Sequence, residues 1–115
     1  FTPHLVPMNR GELVTIYAKT NGENADEIRS TLDRFYDDKP FVRIVGADET
    51  PATRHVRGSN YCHVGVYDDR VPNRVILVAT LDNLVKGSSG QAIQNMNLMC
   101  GVEETSGLTQ LPLYP

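Results

Sequence analysis

The segment from residue 81 to residue 91, LDNLVKGSSGQ, contains the side chains best suited to hold a ligand. Asn83 offers an amide that can donate and accept hydrogen bonds, as recognition of another amide requires, and Lys86 offers a positive charge. Gly87 and Gly90 precede an apolar helical pattern, where free backbone N–H groups attract anions and glycine lets a ligand approach closely. A simple turn and helix cap would give the same pattern, and the spacing does not match a P-loop.

Two arginine-containing segments are candidates for binding an anion. Residues 54–60, RHVRGSN, combine Arg54, His55 and Arg57 with a glycine turn, and a planar guanidinium pairs well with a carboxylate or a phosphate. Arg10 stands beside Gly11 in a second turn. A solvated loop and an isolated surface charge are the alternative interpretations of these segments.

The histidines and cysteines give weaker signals. His4, His55 and His63 do not have metal-ligand spacing, so we expect no zinc site. His4 lies between two prolines, where a functional and a structural role are equally consistent with the pattern. Cys62 falls in the middle of a predicted strand and Cys100 at the end of a predicted helix, where the helix dipole opposes a thiolate. The residues alone therefore indicate no cysteine nucleophile.

Hydrophobic periodicity predicts the elements that must position these groups. Residues 74–81, RVILVATL, are apolar on both faces, which predicts a central strand, and the short turn before them predicts an antiparallel hairpin with 60–68. Asn24 is a candidate N-cap for a helix over 25–38. The fold class is predicted to be α+β, with a mixed, largely antiparallel sheet, one helix packed on it and a C-terminal helix. The other predicted elements are strands at 1–6, 13–18 and 41–45, a helix at 91–99 that opens at the glycines, and a tail at 106–115.

Length, charge and cysteine content exclude several classes. The 115 residues correspond to one domain of ordinary size. A net charge of −3 and a pI near 5.5 argue against a nucleic-acid or anionic-membrane partner. No stretch is long and apolar enough to predict a membrane span. Two cysteines fit a reducing compartment, and a chain that begins with Phe rather than Met is expected to be a piece of a longer protein.

Three segments together resemble a known family. The runs at 1–11 (FTPHLVPMNRG), 55–60 (HVRGSN) and 82–97 (DNLVKGSSGQAIQNMN) are similar, in the same order, to the N-acetyl-gamma-glutamyl-phosphate reductases. The resemblance extends over nearly the whole chain, to the ending Leu-Tyr-Pro at 113–115. These are NADPH-dependent enzymes of arginine biosynthesis, related to aspartate-semialdehyde dehydrogenase. Glu12 and the pair Ser88-Ser89 are modest departures from the usual pattern.

The resemblance implies that the chain is the C-terminal third of such an enzyme. Residues 1–86 would form most of a substrate-binding and dimerisation domain, and residues 87–115 a helix and tail that pack on a nucleotide-binding domain. The family's glycine-rich phosphate loop, its Gly-Cys-Tyr/Phe nucleophile motif and its His-x-Pro-Glu segment are not found in this sequence. A homodimer or tetramer in the cytoplasm, or in the plastid of a plant, is implied.

The resemblance also implies a chemistry. In the whole enzyme a cysteine thiolate attacks the acyl phosphate of N-acetyl-glutamyl phosphate, phosphate leaves, and hydride from NADPH reduces the thioester to the semialdehyde. Asn83 would meet the nicotinamide carboxamide, and Gly87 would give room for its close approach. Arg10 and Arg57 would bind the anionic substrate, with His4 lining the pocket. None of the catalytic residues would lie in this chain.

Two other functions remain open on the sequence. The chain could be a stand-alone, non-catalytic module of the same fold that binds a small molecule or dimerises. The exposure of one apolar helical stripe distinguishes this alternative from the excised-domain interpretation. The stripe consists of Ala92, Ile93, Met96 and Met99. A self-contained module should cover the stripe, whereas an excised domain should leave it uncovered. A cysteine enzyme that uses Cys62 is the third hypothesis.

Overall fold

The computed structural model describes residues 2–113 and contains one four-stranded sheet in the order β1-β4-β3-β2. Strand β4 pairs antiparallel with β1 and with β3, and β2 pairs parallel with β3. The predicted α+β class and the central position of β4 are therefore confirmed. The elements are β1 (Glu12–Lys19), α1 (Ala25–Tyr36), β2 (Val42–Ile44), a 3₁₀ turn (Thr53–His55), β3 (Cys62–Asp68), β4 (Arg74–Leu81), a π-helical turn (Val85–Ser89) and α2 (Gly90–Met99).

Helix α1 packs on one face of the sheet, and its start is fixed by an N-terminal cap. The Asn24 side chain accepts a hydrogen bond from the Glu27 amide (3.0 Å), and the Glu27 carboxylate accepts one from the Asn24 amide (2.9 Å). The Ala25 amide donates to Asp68 Oδ1 of β3 (2.9 Å), which ties the helix to the sheet. The predicted cap is confirmed. Between helix and sheet lie Ala25, Val66 and Val75, with Ala18, Ile28, Leu32 and Leu77 packed against them.

The loop between β2 and β3 packs near the opposite face of the sheet. The Tyr67 hydroxyl donates to the Glu49 carbonyl (2.7 Å), and Thr53 fills the space that a side chain on Gly11 would need. His63 and Thr80, which are cross-strand partners, are buried at this end. The same face is open further along β1, where Tyr17 is 61% exposed. The second face of the sheet is therefore covered only in part.

The predicted first strand is wrong for the residues that can be judged. Residues 2–6 have no regular secondary structure, and Leu5 is fully exposed. Pro3 and Pro7 fix an extended backbone, but a strand also needs a hydrogen-bonded neighbour, and none pairs with 2–6 within the described chain. Phe1, where the prediction began, lies outside the described residues, as do Tyr114 and Pro115 of the ending that carries the resemblance.

The tail after α2 is anchored at both of its described ends. Leu108 is buried, and Asn97 Nδ2 donates to the carbonyls of Glu104 and Ser106. The Leu113 amide donates to the Arg57 carbonyl (2.7 Å), which brings the tail back to the loop before β3. No helix within residues 2–113 is long and apolar enough to cross a membrane.

We expect Gly90→Ala to destabilise the chain by roughly 1–3 kcal/mol, because overpacking a filled site costs this much. A Cβ at Gly90 would collide with the Asn60 side chain and lie 2.9 Å from the Val85 carbonyl oxygen. Alanine is favoured over glycine within helices by about 1 kcal/mol, so a net loss isolates the collision. The measurement is urea unfolding of both chains.

Gly46→Ala is the matched control. A Cβ at Gly46 would meet only the end of the Glu49 side chain, at 3.5 Å, so its effect should stay within about 0.5 kcal/mol. Equal stability of Gly90→Ala and the unsubstituted chain would contradict the close packing of Asn60 and Val85 around Gly90.

Candidate functional site

The carboxylate of Asp82 brings together the three segments that the sequence singled out. Arg10 pairs with it through Nε (2.7 Å to Oδ2) and Nη2 (3.0 Å to Oδ1), and the Gly58 amide donates to Oδ2 (2.6 Å). Asp82 is fully buried. Its contacts therefore join the turn at residues 10–11, the loop at 54–60 and the end of β4.

Asp82 also caps the helical segment that follows β4. The amides of Leu84 and Val85 donate to Asp82 Oδ1 at 2.8 and 3.2 Å. The π-helical turn Val85–Ser89 then runs directly into α2. Asp is a preferred N-cap because its carboxylate satisfies amides that have no partner within the helix.

Helix α2 begins at Gly90, one residue before the predicted start at Gln91, but the π-helical turn before it means that the glycines do not form a free helix N-terminus. The Gly87 amide donates to the Asp82 carbonyl (2.9 Å), the Ser89 amide to the Leu84 carbonyl (3.2 Å) and the Gly90 amide to the Val85 carbonyl. These amides are already engaged and cannot cradle an anion. The negative charge at the helix start comes from Asp82.

The pKa of Asp82 reflects a balance between burial and hydrogen bonding. Burial of the carboxyl raises its pKa, whereas the Arg10 guanidinium and the amides of Gly58, Leu84 and Val85 lower it. The lowering contributions prevail, so the pKa of Asp82 lies below its ordinary value. The group is thus a carboxylate at neutral pH.

Asn83 and Gly87 lie next to each other at the surface. Both are exposed, and a Cβ on Gly87 would lie 3.8 Å from the Cβ of Asn83. Asn83 Oδ1 accepts from the Gly11 amide (2.6 Å), which sets the orientation of the side chain. Its Nδ2 group has no hydrogen-bond acceptor among residues 2–113, so a donor remains for a ligand. These features fit a carboxamide that accepts a hydrogen bond.

The two arginines predicted to bind substrate differ in their surroundings. Arg10 is engaged with Asp82, as described above. Arg57 Nε is buried and makes no hydrogen bond within the described part of the chain. Gly58 has a φ of +77°, and the Leu113 side chain lies 2.7 Å from where its Cβ would be. Of the two guanidinium groups, that of Arg57 is therefore the one whose Nε has no hydrogen-bond partner within residues 2–113.

The remaining predicted groups stay apart from this cluster. His4 is exposed, and its Nδ1 lies 3.1 Å from the Thr2 carbonyl oxygen. Arg54 contacts the neighbouring His55 ring. Two surface depressions, of about 550 and 180 Å³, lie along α1 rather than beside Asn83. Within residues 2–113, no cluster of three His, Cys, Asp or Glu side chains is placed to hold a metal.

A second polar network, centred on Gln94, was not recognised from the sequence. Gln94 Oε1 accepts from Asn60 Nδ2 (2.9 Å) and Lys86 Nζ (2.7 Å), and Gln94 Nε2 donates to Glu104 (2.6 Å). Burial lowers the pKa of Lys86, whose Nζ also lies 5.7 Å from the centre of the Phe41 ring. Lys86 therefore links α2 to Phe41, which directly precedes β2.

The cysteines and the apolar stripe bear on the open hypotheses. Burial raises the pKa of the Cys62 thiol, which disfavours the thiolate that a nucleophile requires. In the stripe of α2, Met96 is 55% and Met99 is 86% exposed, and Ala92 and Ile93 are exposed as well. The stripe is uncovered within residues 2–113.

Asp82 itself could have been identified from one signal. An Asp that ends a strand and stands two or three residues before a helix is a standard helix-start pattern. The sequence analysis placed the helix at 91–99 and did not predict the π-helical turn before it. The pairing of Asp82 with Arg10 could not be predicted from the sequence, because the two residues are 72 positions apart.

Comparison with known proteins places the chain among dehydrogenase domains. The model of the family described as "Semialdehyde dehydrogenase, dimerisation domain" matches residues 1–83. N-acetyl-gamma-glutamyl-phosphate reductases from Rhodospirillum rubrum and Geobacter sp. (strain M21) are 58% and 54% identical over 100% of this chain. The chain covers 33% and 34% of these proteins, so it spans about a third of their length.

Solved structures share the fold. Aspartate semialdehyde dehydrogenase II from Vibrio cholerae, complexed with ASA, superposes with a TM-score of 0.67 and 23% identity, over 84% of this chain and 29% of that one. The family match, the relatives and the shared fold agree. The chain belongs to the family of semialdehyde dehydrogenase dimerisation domains.

Proposed function

We propose that this chain is the C-terminal portion of an NADPH-dependent reductase that converts N-acetyl-glutamyl 5-phosphate to N-acetyl-glutamate 5-semialdehyde in arginine biosynthesis. The observation that carries the proposal is identity of 51–58% over the whole chain to proteins named as this reductase. The three segments at 1–11, 55–60 and 82–97 lie within that similarity. Cytoplasmic location fits the two free cysteines, Cys62 and Cys100.

In this function the chain's own residues bind and orient. Asn83 holds the nicotinamide carboxamide through Nδ2, while Gly11 fixes the side chain from its other side. Gly87 leaves the surface beside Asn83 free of a side chain. Arg57 pairs with the anionic substrate, because it is the guanidinium that Asp82 does not neutralise. NADPH supplies the hydride, and the nucleophilic cysteine belongs to the region that precedes this chain in the reductase.

Arg10 and His4 have narrower roles in this proposal. The Arg10 guanidinium is oriented by Asp82 and adds positive charge beside the turn that Asn83 contacts. Any contact with substrate would use the guanidinium edge that faces away from Asp82. His4 lies on the exposed segment before β1 and lines the pocket only when the rest of the reductase is in place.

The exposed stripe of α2 supports the proposed division of the chain into two parts. Residues 1–86 form the substrate-binding and dimerisation part, and residues 87–115 pack on a nucleotide-binding domain supplied by the longer protein. Ile93, Met96 and Met99 would be covered by that domain, since exposed apolar side chains in a row mark an interface. The same exposure weighs against a self-contained binding module.

The partially covered face of the sheet is the proposed homodimer interface. Leu13 and Tyr17 are 52% and 61% exposed there, and Tyr17 lies opposite Ile76 on β4. A two-fold axis would bring the same apolar patch of two protomers together. The description of the matching family as a dimerisation domain supports dimer formation, and the exposure of Leu13 and Tyr17 supports this face as its site.

The first prediction from the proposed function concerns activity. The 115-residue chain alone should not oxidise NADPH with N-acetyl-glutamyl phosphate, whereas the parent protein, this chain joined to the N-terminal region its relatives possess, should do so. The measurement is the loss of NADPH absorbance with purified proteins. Turnover by the isolated chain would refute the division of labour, and an inactive parent protein would refute the proposed reaction.

The second prediction concerns Asn83 in the parent protein. Asn83→Ala should weaken use of the cofactor by roughly 1–3 kcal/mol, seen as a raised KM for NADPH, because a buried ligand amide would lose its partner. Asn83→Asp keeps the acceptor for Gly11 and loses the Nδ2 donor. Asn83→Asp should therefore also raise the KM for NADPH, because the hydrogen bond to the cofactor is lost while the contact with Gly11 is kept.

Asn21→Ala is the control for this series, since Asn21 lies in an exposed turn before α1. It should leave KM and kcat unchanged. Unaltered kinetics in both Asn83 variants would remove this residue from the cofactor site.

The third prediction concerns assembly. Tyr17→Glu in the parent protein should weaken the dimer at least about tenfold, because two like charges would meet across the interface. Sedimentation over a range of concentrations measures the change. Phe35→Glu, at an equally exposed aromatic on α1, should leave the dimer intact. The reverse result would move the interface to α1.

A further inference from the structure

We propose that Asp82 is a positioning residue whose carboxylate holds Asn83, the Arg10–Gly11 turn and the Arg57–Gly58 turn in one arrangement. The inference rests on the proposed function, which assigns the cofactor to Asn83 and the anionic substrate to Arg57. Asp82 is fully buried, so it acts through the groups that it holds.

The carboxylate lies where the β1–β4 and β3–β4 ladders end, and it joins the turns that precede β1 and β3 to the residues that follow β4. Arg10 is 72 positions from Asp82 and Gly58 is 24 positions away, and both bind the same carboxylate. The amides of Leu84 and Val85 complete its coordination on the other side. Charge-assisted hydrogen bonds are stronger than neutral ones, so this set is a rigid junction.

The neighbouring residues extend the junction to the surface. Asn83 follows Asp82 directly, and its Oδ1 accepts from Gly11, which follows Arg10. Asp82 and Asn83, which follow β4, thus bind the consecutive residues Arg10 and Gly11. Arg57 precedes Gly58, the residue whose amide binds Asp82. Asn83 is therefore adjacent in sequence to Asp82 itself, and Arg57 is adjacent to Gly58, whose amide binds the Asp82 carboxylate.

The substitution Asp82→Asn tests the charge with little change in volume. The amide keeps one acceptor oxygen, but its NH₂ group would face donors of Arg10 or Gly58. Leaving such donors unsatisfied is costly. The hairpin of β3 and β4 has its own ladder of hydrogen bonds and does not depend on this carboxylate.

The first arm measures amide hydrogen exchange by NMR in the 115-residue chain. In Asp82→Asn the amides of Gly11, Gly58 and Leu84 should exchange at least about tenfold faster, while amides in the β3–β4 ladder keep their protection. Asp69→Asn is the control, because Asp69 is also paired with an arginine, Arg74, at 2.5 Å. It should leave those three amides unchanged.

The second arm measures kinetics in the parent protein. Asp82→Asn should lower kcat/KM on the order of 10- to 100-fold, with KM raised for both cofactor and acyl phosphate, because small displacements of binding groups have effects of this size. Asp69→Asn should be as active as the unsubstituted protein. A purely structural role would leave the KM values unchanged in the folded fraction.

Each outcome decides a different question. Unchanged exchange in Asp82→Asn overturns the inference, and so does faster exchange with unaltered kinetics. An inactive unsubstituted parent protein overturns the proposed function, while the exchange arm still decides whether Asp82 holds the two turns. If Asp82→Asn does not fold, Arg10→Gln removes the ion pair alone and should release Gly11 while leaving Leu84 protected. Equal protection of Gly11 would then refute the inference.

Discussion

A buried carboxylate without partners is too unfavourable to persist, and this constraint organises the end of the sheet where the candidate site lies. Asp82 meets it with one guanidinium and three backbone amides. Because these donors come from three separate segments, the chain satisfies the charge only when all three converge. The surface that carries Asn83, Gly87 and Arg57 is a by-product of that convergence.

Local patterns predicted the fold where the signal was local. The apolar run at 74–81 indicated a central strand, and Asn24 with Glu27 formed the cap that its spacing favours. The prediction of a strand at 2–6 was wrong because strand pairing is not a local property. Prolines fix its backbone, but a strand is defined by a neighbour, and hydrogen-bonded pairing over long distances leaves no trace in a single sequence.

In the candidate site, too, the local features were predictable and the long-range contacts were not. The three segments were recognisable by their residue types, and Asn83 and Gly87 lie side by side as a ligand-binding role needs. Their mutual arrangement was not predictable, since the Arg10–Asp82 pair spans 72 positions. The glycines resemble an anion-binding helix start, but a π-helical turn that the sequence did not reveal precedes α2, and Asp82 supplies the anion there.

Strand β1 has a consequence for the isolated chain. It stands at the end of the strand order, so its eight residues present an outer row of N–H and C=O groups that no described strand pairs with. Leu13 and Tyr17 project from one side and Ile16 from the other, and charged side chains occur only at the ends, Glu12 and Lys19. Such an edge recruits further strands in solution. The sheet can therefore be extended at β1, and a lysine at a central β1 position would oppose that pairing.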